Sequence, residues 1–445
     1  MGKYKGYEKY KDSGVEWLGA IPEHWKAVRL KHITNQIIDG AHFTPTYVNE
    51  GIPFLRVTDI VQAKNNSINM NNIKFIPEEE HNTLSIRCKP EKGDLLYSKN
   101  GTIGVPRIVD WDFDFSIFVS LCLIKVIKPK VNIEFLQYSL LGKLTETQIN
   151  IGAKSNTVTN LHLDKIKEFW ATLPPLDEQK AIAQFLDHKT KQIDDLIAKK
   201  ETLLEKLDEK RTALISHAVT KGIDPNVPMK YSGVEWLGEI PESWKRGKLN
   251  YFCQIISGGT PDRNNPDFWE GDIPWVKTGE VNYQNIYSTE EYITKEGLNS
   301  SSTTLVKPET VLMAMYGQGN TRGRVAILKI EAAFNQACLG ISPLSNLNVY
   351  FLYYYLISAY KYIRDTGNES SQMNLSAGLI GKISILIPNL EVQQQIFKFL
   401  DQKTAEIDKQ KAQIKKAIER LEEYRTALIT NAVTGKIDVR QVSIP

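Results

Sequence analysis

Cysteine is scarce in this chain. The four present, Cys88, Cys122, Cys253 and Cys338, show no C-x-x-C spacing, and the seven histidines do not gather beside them. Neither a disulfide framework nor a zinc site is supported, and a reducing, cytoplasmic setting fits best. Long apolar runs are missing as well. No stretch approaches the ~20 residues of a membrane span, so no membrane partner is expected. The N-terminal MGKYKGYEKYKDSG lacks the apolar core of a secretory signal. Nor is charge of one sign in excess. A net charge of +3 with 24% charged residues means that any basic surface must be local.

Recognisable reaction centres are absent too. The sequence has no nucleophile elbow, no H-E-x-x-H and no G-x-x-x-x-G-K-[ST] cradle. A methyltransferase would need a Gly-rich cofactor loop and an Asn-Pro-Pro-Tyr-like tetrapeptide. Leu173-Pro-Pro-Leu has neither the Asn nor the aromatic. The expectation is a chain that is not an enzyme and holds no cofactor or metal of its own.

What the sequence does contain is repetition. Ser13–Trp25 reads SGVEWLGAIPEHW and Ser232–Trp244 reads SGVEWLGEIPESW, differing only at Ala20/Glu239 and His24/Ser243. A second repeat runs from Leu173 to Asp224 and returns without a gap from Ile387 to Asp438. Both copies carry FLD-x-KT-x-x-ID and close on RTALI, AVT and ID. The chain is thus two tandem units. Length allows two to four domains, and the boundaries fall at residues 1–25 (repeated segment), 26–172 (first variable domain), 173–224 (first long helix), 225–244 (linker and repeated segment), 245–386 (second variable domain) and 387–445 (second long helix and tail).

The long segments follow a heptad ladder. Leu186, Ile193, Leu207 and Leu214 share one rung, interrupted by Lys200, with Ile182, Leu196 and Leu203 on the other. In the second copy Leu400, Ile407, Ile414, Leu421 and Leu428 run unbroken, flanked by Ile396, Ala417 and Tyr424. Such a repeat predicts a coiled-coil seam. Helices of roughly 38 residues would each span about 57 Å.

The variable regions share a skeleton. Each has a Gly-rich start ending in Thr-Pro (Gly40–Pro45, Gly258–Pro261), an extended stretch, and a strand with a Gly-rich turn (Gly93–Gly104, Val311–Gly319). Late in each comes a helix pattern (Ile133–Leu144, Val349–Ile363). Short β-branched and aromatic runs between turn residues predict strand-rich bodies carrying helices, hence an α+β class. If the two long helices pair antiparallel about a pseudo-two-fold axis, the bodies become inverted modules. Duplex DNA has the same local symmetry, so inverted modules can dock alike on two half-sites separated by turns of ~34 Å.

Taken in order, SGVEWLGxIPExW, the Thr-Pro motif, a long variable region, LPPLDEQKAIAQFLDxKTxxID and RTALIxxAVT, all twice, resemble the specificity subunit of type I restriction–modification enzymes. The resemblance covers essentially the whole chain. It implies two target-recognition domains alternating with two conserved helical regions, each domain reading one half of a split, asymmetric DNA sequence. It further implies two methyltransferase (modification) subunits and restriction/translocase subunits as partners. S-adenosylmethionine, Mg and ATP would belong to those partners. Two departures stand out: GAHFTP is longer than the Gly258-Gly259 form, and Pro388-Asn-Leu-Glu-Val-Gln393 replaces Pro174-Pro-Leu-Asp-Glu-Gln179.

Double-stranded DNA would be held by cations on phosphates and read by Arg, Lys and amide or hydroxyl groups on base edges. The loops supply candidates: Lys99, Asn100 and Thr102 in a Gly-flanked turn, and Lys154, Ser155, Asn156 and Thr157 in a polar loop. The second region offers Gln318, Asn320, Thr321, Arg322 and Arg324 in GQGNTRGR, and Asn368, Ser370, Ser371, Gln372 and Asn374. His42, Thr44, Thr260 and Arg263 are weaker candidates. Each could equally be an ordinary solvated turn residue. The rival reading is a coiled-coil scaffold that binds proteins and never touches DNA. Steep loss of duplex affinity with salt would separate the two.

Overall fold

The computed structural model describes residues 4–63, 67–151, 160–316, 321–366 and 375–442. They form two compact units, Met1–Lys200 with Lys415–Pro445, and Glu201–Ile414. Strands and helices are mixed in both.

In the first unit an antiparallel sheet runs in the order Thr34–Asp39, Leu121–Val126, Leu95–Ser98, Pro106–Ile108. Its central strands are near-continuous apolar runs because both faces are covered. Leu95, Tyr97, Cys122 and Ile124 pack with Leu136 and Leu140 of helix Ile133–Leu141. Leu96, Leu121 and Leu123 point the other way, toward Ile60, Phe115 and Ile117. A smaller sheet pairs Ile52–Leu55 antiparallel with Lys74–Ile76 and parallel with Ser116–Ile117. Lys26–Arg29 and Trp170–Leu173 pair at the body's two ends.

The second unit orders its main sheet Cys253–Ser257, Cys338–Pro343, Val311–Ala314, Val325–Leu328, with Asn285–Ile286 added in parallel. Its smaller sheet pairs Trp269–Val276 antiparallel with Glu291–Ile293 and parallel with Ala333–Phe334. Lys245–Lys248 joins Ser384–Ile387. The helix expected over Ile133–Leu144 stops at Leu141, because Gly142 is extended (φ −75°, ψ 163°). A second helix, Lys143–Asn150, follows. The pattern starting at Val349 likewise divides into Val349–Ser358 and Tyr360–Thr366.

The long helices are Leu176–Lys221, 46 residues, and Leu390–Val433, 44 residues. Both outrun the expected ~38 residues, giving about 66–69 Å at ~1.5 Å per residue. The extra turns are held by burial. Ile215, Ala218 and Val219 pack under Leu237, Ile240 and Trp244. Ala432 and Val433 pack under Ile21 and Trp25. The glycine after each helix takes a positive φ, Gly222 at 83° and Gly435 at 70°. A Cβ on Gly435 would lie 2.4 Å from Pro22.

One expected rung holds only near the helix starts, where Ile182 and Ile396 are fully buried. Leu196 and Leu203 are 43% and 45% exposed, and Tyr424 is 44% exposed. The buried or half-buried rung lies one residue later, at Thr190, Ile197, Leu204, Arg211 and Ala218, and at Thr404, Lys411, Ile418, Arg425 and Ala432. A rung can sit three or four residues after its neighbour, and here the four-residue step is used. That places charge along the seam. In the first unit Asp194 holds Arg425 at 2.8 Å. In the second, Arg211 stands 3.7 Å from Asp408 and Lys411 bonds Asp208. One helix there advances as the other retreats, so the two segments run in opposite directions.

Each long helix is keyed to the strand-rich body of its unit by one fully buried glutamine. Gln179 donates to the Lys130 and Pro174 carbonyls at 3.0 and 2.9 Å and accepts from Asn132 N at 2.9 Å. Gln393 does the same with Asn346, Pro388 and Asn348 at 3.1, 2.8 and 2.7 Å. At each joint both amide hydrogens and the side-chain oxygen have a partner, as a buried polar group requires.

Candidate nucleic-acid interface

The Thr-Pro motif of each unit opens on a glycine that close backbone packing demands. A Cβ would come within 1.9 Å of the Ile117 carbonyl at Gly40, and within 2.1 Å of the Asn335 carbonyl at Gly258. Contact with the short parallel strand therefore fixes where the following loop leaves the sheet.

In the first unit that loop stands over a buried carboxylate. Asp39 accepts from Arg87 Nη2 at 2.7 Å and from His42 Nε2 at 2.9 Å, and lies 3.3 Å from Lys99 Nζ. Burial alone would raise the Asp39 carboxyl. The bonds from His42 and Arg87 and the charge of Lys99 outweigh it, and the net direction is below the ordinary value. Arg87 also donates to the Asp39 and Gly40 carbonyls at 3.2 and 3.1 Å. Lys99 is thus part of the floor, whereas His42 and Thr44 are exposed and Phe43 is 53% exposed. A cavity of about 250 Å³ opens beside them, with Thr83, Leu84 and Ser116 in its wall. Asn100 bridges Asn160, and its Oδ1 is buried with no hydrogen-bond partner among the described residues. Thr102 is exposed.

In the second unit Arg263, two residues after the motif, is held by aromatic rings and a carboxylate. Its guanidinium lies 3.8 Å over the Trp269 ring and 4.8 Å from that of Trp275, and Nη1 meets Glu291 at 2.6 Å. Stacking holds an arginine with its donor edge defined. Lys277 pairs with Glu290 and Glu291 at 2.8 and 3.1 Å. Thr260 bonds Gln336, and Thr278 donates to Asn335 at 3.0 Å. Of the GQGNTRGR residues, Thr321 is half-buried. Arg322 is buried and donates to the Arg364 carbonyl at 3.4 Å, and Arg324 donates to Asn282 Oδ1 at 3.0 Å. Lys154, Ser155, Asn156, Thr157, Gln318, Asn320, Asn368, Ser370, Ser371, Gln372 and Asn374 lie outside the described residues.

Sequence reading had singled out Lys99, His42 and Arg263 but neither Asp39 and Arg87 nor the tryptophan platform. The signal was faint: Asp39 directly precedes Gly40, Trp269 stands just before the extended stretch that begins at Ile273, and Trp275 lies within it. These surfaces offer guanidinium, amide and hydroxyl donors, the groups that hold phosphate and read base edges. Among the described residues, no group of His, Cys, Asp or Glu could hold a metal ion, and no helix is long and apolar enough to cross a membrane.

The profile of the type I restriction modification DNA specificity domain matches the chain twice, over residues 22–206 and 241–420. The chain is 23% identical over 454 residues to the type I restriction enzyme EcoBI specificity subunit of Escherichia coli, covering 96% of this chain and 89% of that one. It is 24% identical over 475 residues to the HindI specificity subunit of Haemophilus influenzae, covering 93% and 99%. A chain from a solved type I restriction–modification assembly superposes with a TM-score of 0.75 at 15% identity, over 94% of this chain and 99% of that one, which shows a shared fold. The chain therefore belongs to the type I restriction–modification specificity family, whose members supply DNA sequence specificity.

Proposed function

We propose that each strand-rich body reads one half of a bipartite, asymmetric DNA sequence, that the long helices pair as an antiparallel coiled coil to set the spacing, and that an internal pseudo-two-fold relates the halves. The observation that carries this is a contrast within one chain. The SGVEWLG segments are nearly constant and the helix repeats align without a gap and keep FLD-x-KT-x-x-ID, RTALI and AVT, whereas the two bodies keep the same strand order and differ in their surface residues. Constant segments suit a constant task, spacing and docking of two methyltransferase subunits, with restriction/translocase subunits joining them. Unlike bodies suit unlike half-sites. The recognition domains comprise 26–172 and 245–386. The chain contributes recognition and no chemistry, and S-adenosylmethionine, Mg and ATP belong to its partners.

His42, Thr102, Arg263 and Thr260 stand in this reading at the duplex face, with the loops around 154–157, 318–324 and 370–374. Mapping N6-methyladenine in DNA from cells that express the chain with its modification partner tests the proposal. Methylation confined to one split, non-palindromic sequence is expected. A continuous or palindromic target would remove the two-reader arrangement. Duplex affinity indifferent to salt would favour the protein-only scaffold instead.

A further inference from the structure

The second unit holds a cavity of about 230 Å³ where its recognition body meets both long helices. Tyr283, Tyr353 and Phe397 supply aromatic walls, and Asp401, Asp408 and Arg211 supply charge. Arg211 stands 3.7 Å from Asp408 and offsets it. Asp401 makes no side-chain hydrogen bond or ion pair among the described residues, so one negative charge is left uncancelled. We propose that this cavity binds a single organic cation of guanidinium or alkylammonium type.

Three observations carry the inference. First, a carboxylate beside several aromatic faces is the donor set that holds such a cation, through charge and the ring quadrupole together. Beside the cavity Lys329 Nζ, which pairs with Glu309 at 2.8 Å, also lies 4.5 Å over the Tyr350 ring, which itself stacks on Phe397 at 4.3 Å.

Second, the wall is strained. Tyr283 has φ 57°, a left-handed conformation unfavourable for an aromatic residue. It is held there by its N–H donating to Val325 O at 2.9 Å and by the Tyr353 hydroxyl donating to its carbonyl at 2.7 Å.

Third, the first unit is built differently at the matching place. Asn132 and Asn348 cap the corresponding helices. Counting from those caps, Glu134 and Gln137 stand where Tyr350 and Tyr353 stand, and in the helix repeat Ala183 stands for Phe397. There the Tyr138 hydroxyl donates to Asp187 at 2.7 Å, engaging the carboxylate. In the second unit the Tyr354 hydroxyl meets Thr404 at 3.2 Å, and Asp401 is left to the cavity. The aromatic walls and the unengaged carboxylate thus occur together in one unit and not in the other.

Calorimetric titration of the full chain with ethylguanidinium chloride, in buffer of matched ionic strength without DNA, tests this. One saturable site per chain is expected. Asp401→Asn, at an exposed position that tolerates the change, is expected to weaken binding at least tenfold. Phe397→Leu weakens it as well, and Asp187→Asn in the first unit leaves it unchanged. The neutral isostere ethylurea should not compete. Equal binding of ethylurea, or full affinity in Asp401→Asn, would overturn the proposal, as would the lack of any saturable site. Tighter binding of acetyl-arginine amide than of ethylguanidinium would assign the cation to a protein side chain, and the reverse to a free small molecule. Because DNA is absent, failure here leaves the half-site reading untouched.

Discussion

Asp39 is the residue whose chemistry has the clearest consequence. Its carboxylate gathers Arg87, His42 and Lys99 beneath the first Thr-Pro loop. Asp39→Asn keeps the shape but leaves the buried Lys99 charge uncompensated. Loss of one partner from a buried ion pair costs several kcal/mol, so about 2–3 kcal/mol is expected in urea unfolding of the first unit. The pH dependence follows from the sign of the shift. The folded carboxyl titrates below its ordinary 3.8, so the folded state binds fewer protons there than the unfolded state. The stabilisation is complete above the unfolded value and is lost as pH falls through the folded one. The Asn variant should lack that acid-limb loss, and a parallel acid profile for both proteins would contradict the assignment. The second unit offers a matching test of recognition. Arg263→Ala should relax discrimination at one base position by ~1–3 kcal/mol if the guanidinium reads a base, or weaken all duplexes alike if it holds phosphate. Methylation of a plasmid library distinguishes the two, and unchanged affinity with unchanged site choice would take Arg263 off the interface. Lys99 stood out in the sequence because glycine flanks its turn. Asp39, its partner, did not, because only the sheet order that pairs Thr34–Asp39 with Leu121–Val126 brings that strand end near the turn.

At the scale of elements, the long helices were the most legible part, since a seven-residue apolar period survives without any tertiary information. The rung assignment was not legible to the same degree. Leu196 and Leu203 are as apolar as Ile197 and Leu204, and spacing alone cannot choose between them. Burial makes the choice: Ile197 and Leu204 are half-buried, whereas Leu196 and Leu203 are exposed. A pair of substitutions tests the corrected seam. Ile193, 7% exposed and clustered with Leu428 and Ile429, should cost about 2–4 kcal/mol when replaced by Ala. Leu196→Ala, at 43% exposure, should stay within about 0.5 kcal/mol. Comparable losses in thermal unfolding would restore the rung expected from spacing. The strand-rich bodies were legible only as a class, because short β-runs do not declare their partners. The parallel pairing of Ile52–Leu55 with Ser116–Ile117 joins segments with two α-helices, a strand of the same sheet and two strands of another between them.

At the scale of the whole molecule, two of the differences between the repeats belong together. His24 and Glu178 stand in the first unit where Ser243 and Val392 stand in the second. Glu178, its side chain 6% exposed, accepts from the Tyr7 hydroxyl at 2.5 Å and from His24 Nε2 at 2.9 Å, with Arg440 Nε at 3.9 Å. Burial and then the bond to Glu178 hold the Tyr7 phenol far above its usual range, so it remains a donor. The cluster joins the N-terminal segment, the start of the first long helix and the C-terminal tail. In the second unit the corresponding segment follows its helix directly along the chain, through Gly222 and the short linker, and covalent continuity does the joining. A polar cluster is therefore needed only where three separate stretches must meet. Glu178→Val should cost about 2 kcal/mol, because Tyr7 and His24 lose their acceptor in a largely buried place. His24→Ser should cost about 1 kcal/mol in the parent chain and close to nothing in the Glu178→Val background, a coupling of about 1 kcal/mol. A thermal-unfolding double-mutant cycle measures it. Strict additivity would show that the two substitutions differ between the repeats independently, and that the termini are held by the apolar packing of Trp25 on Val433 alone.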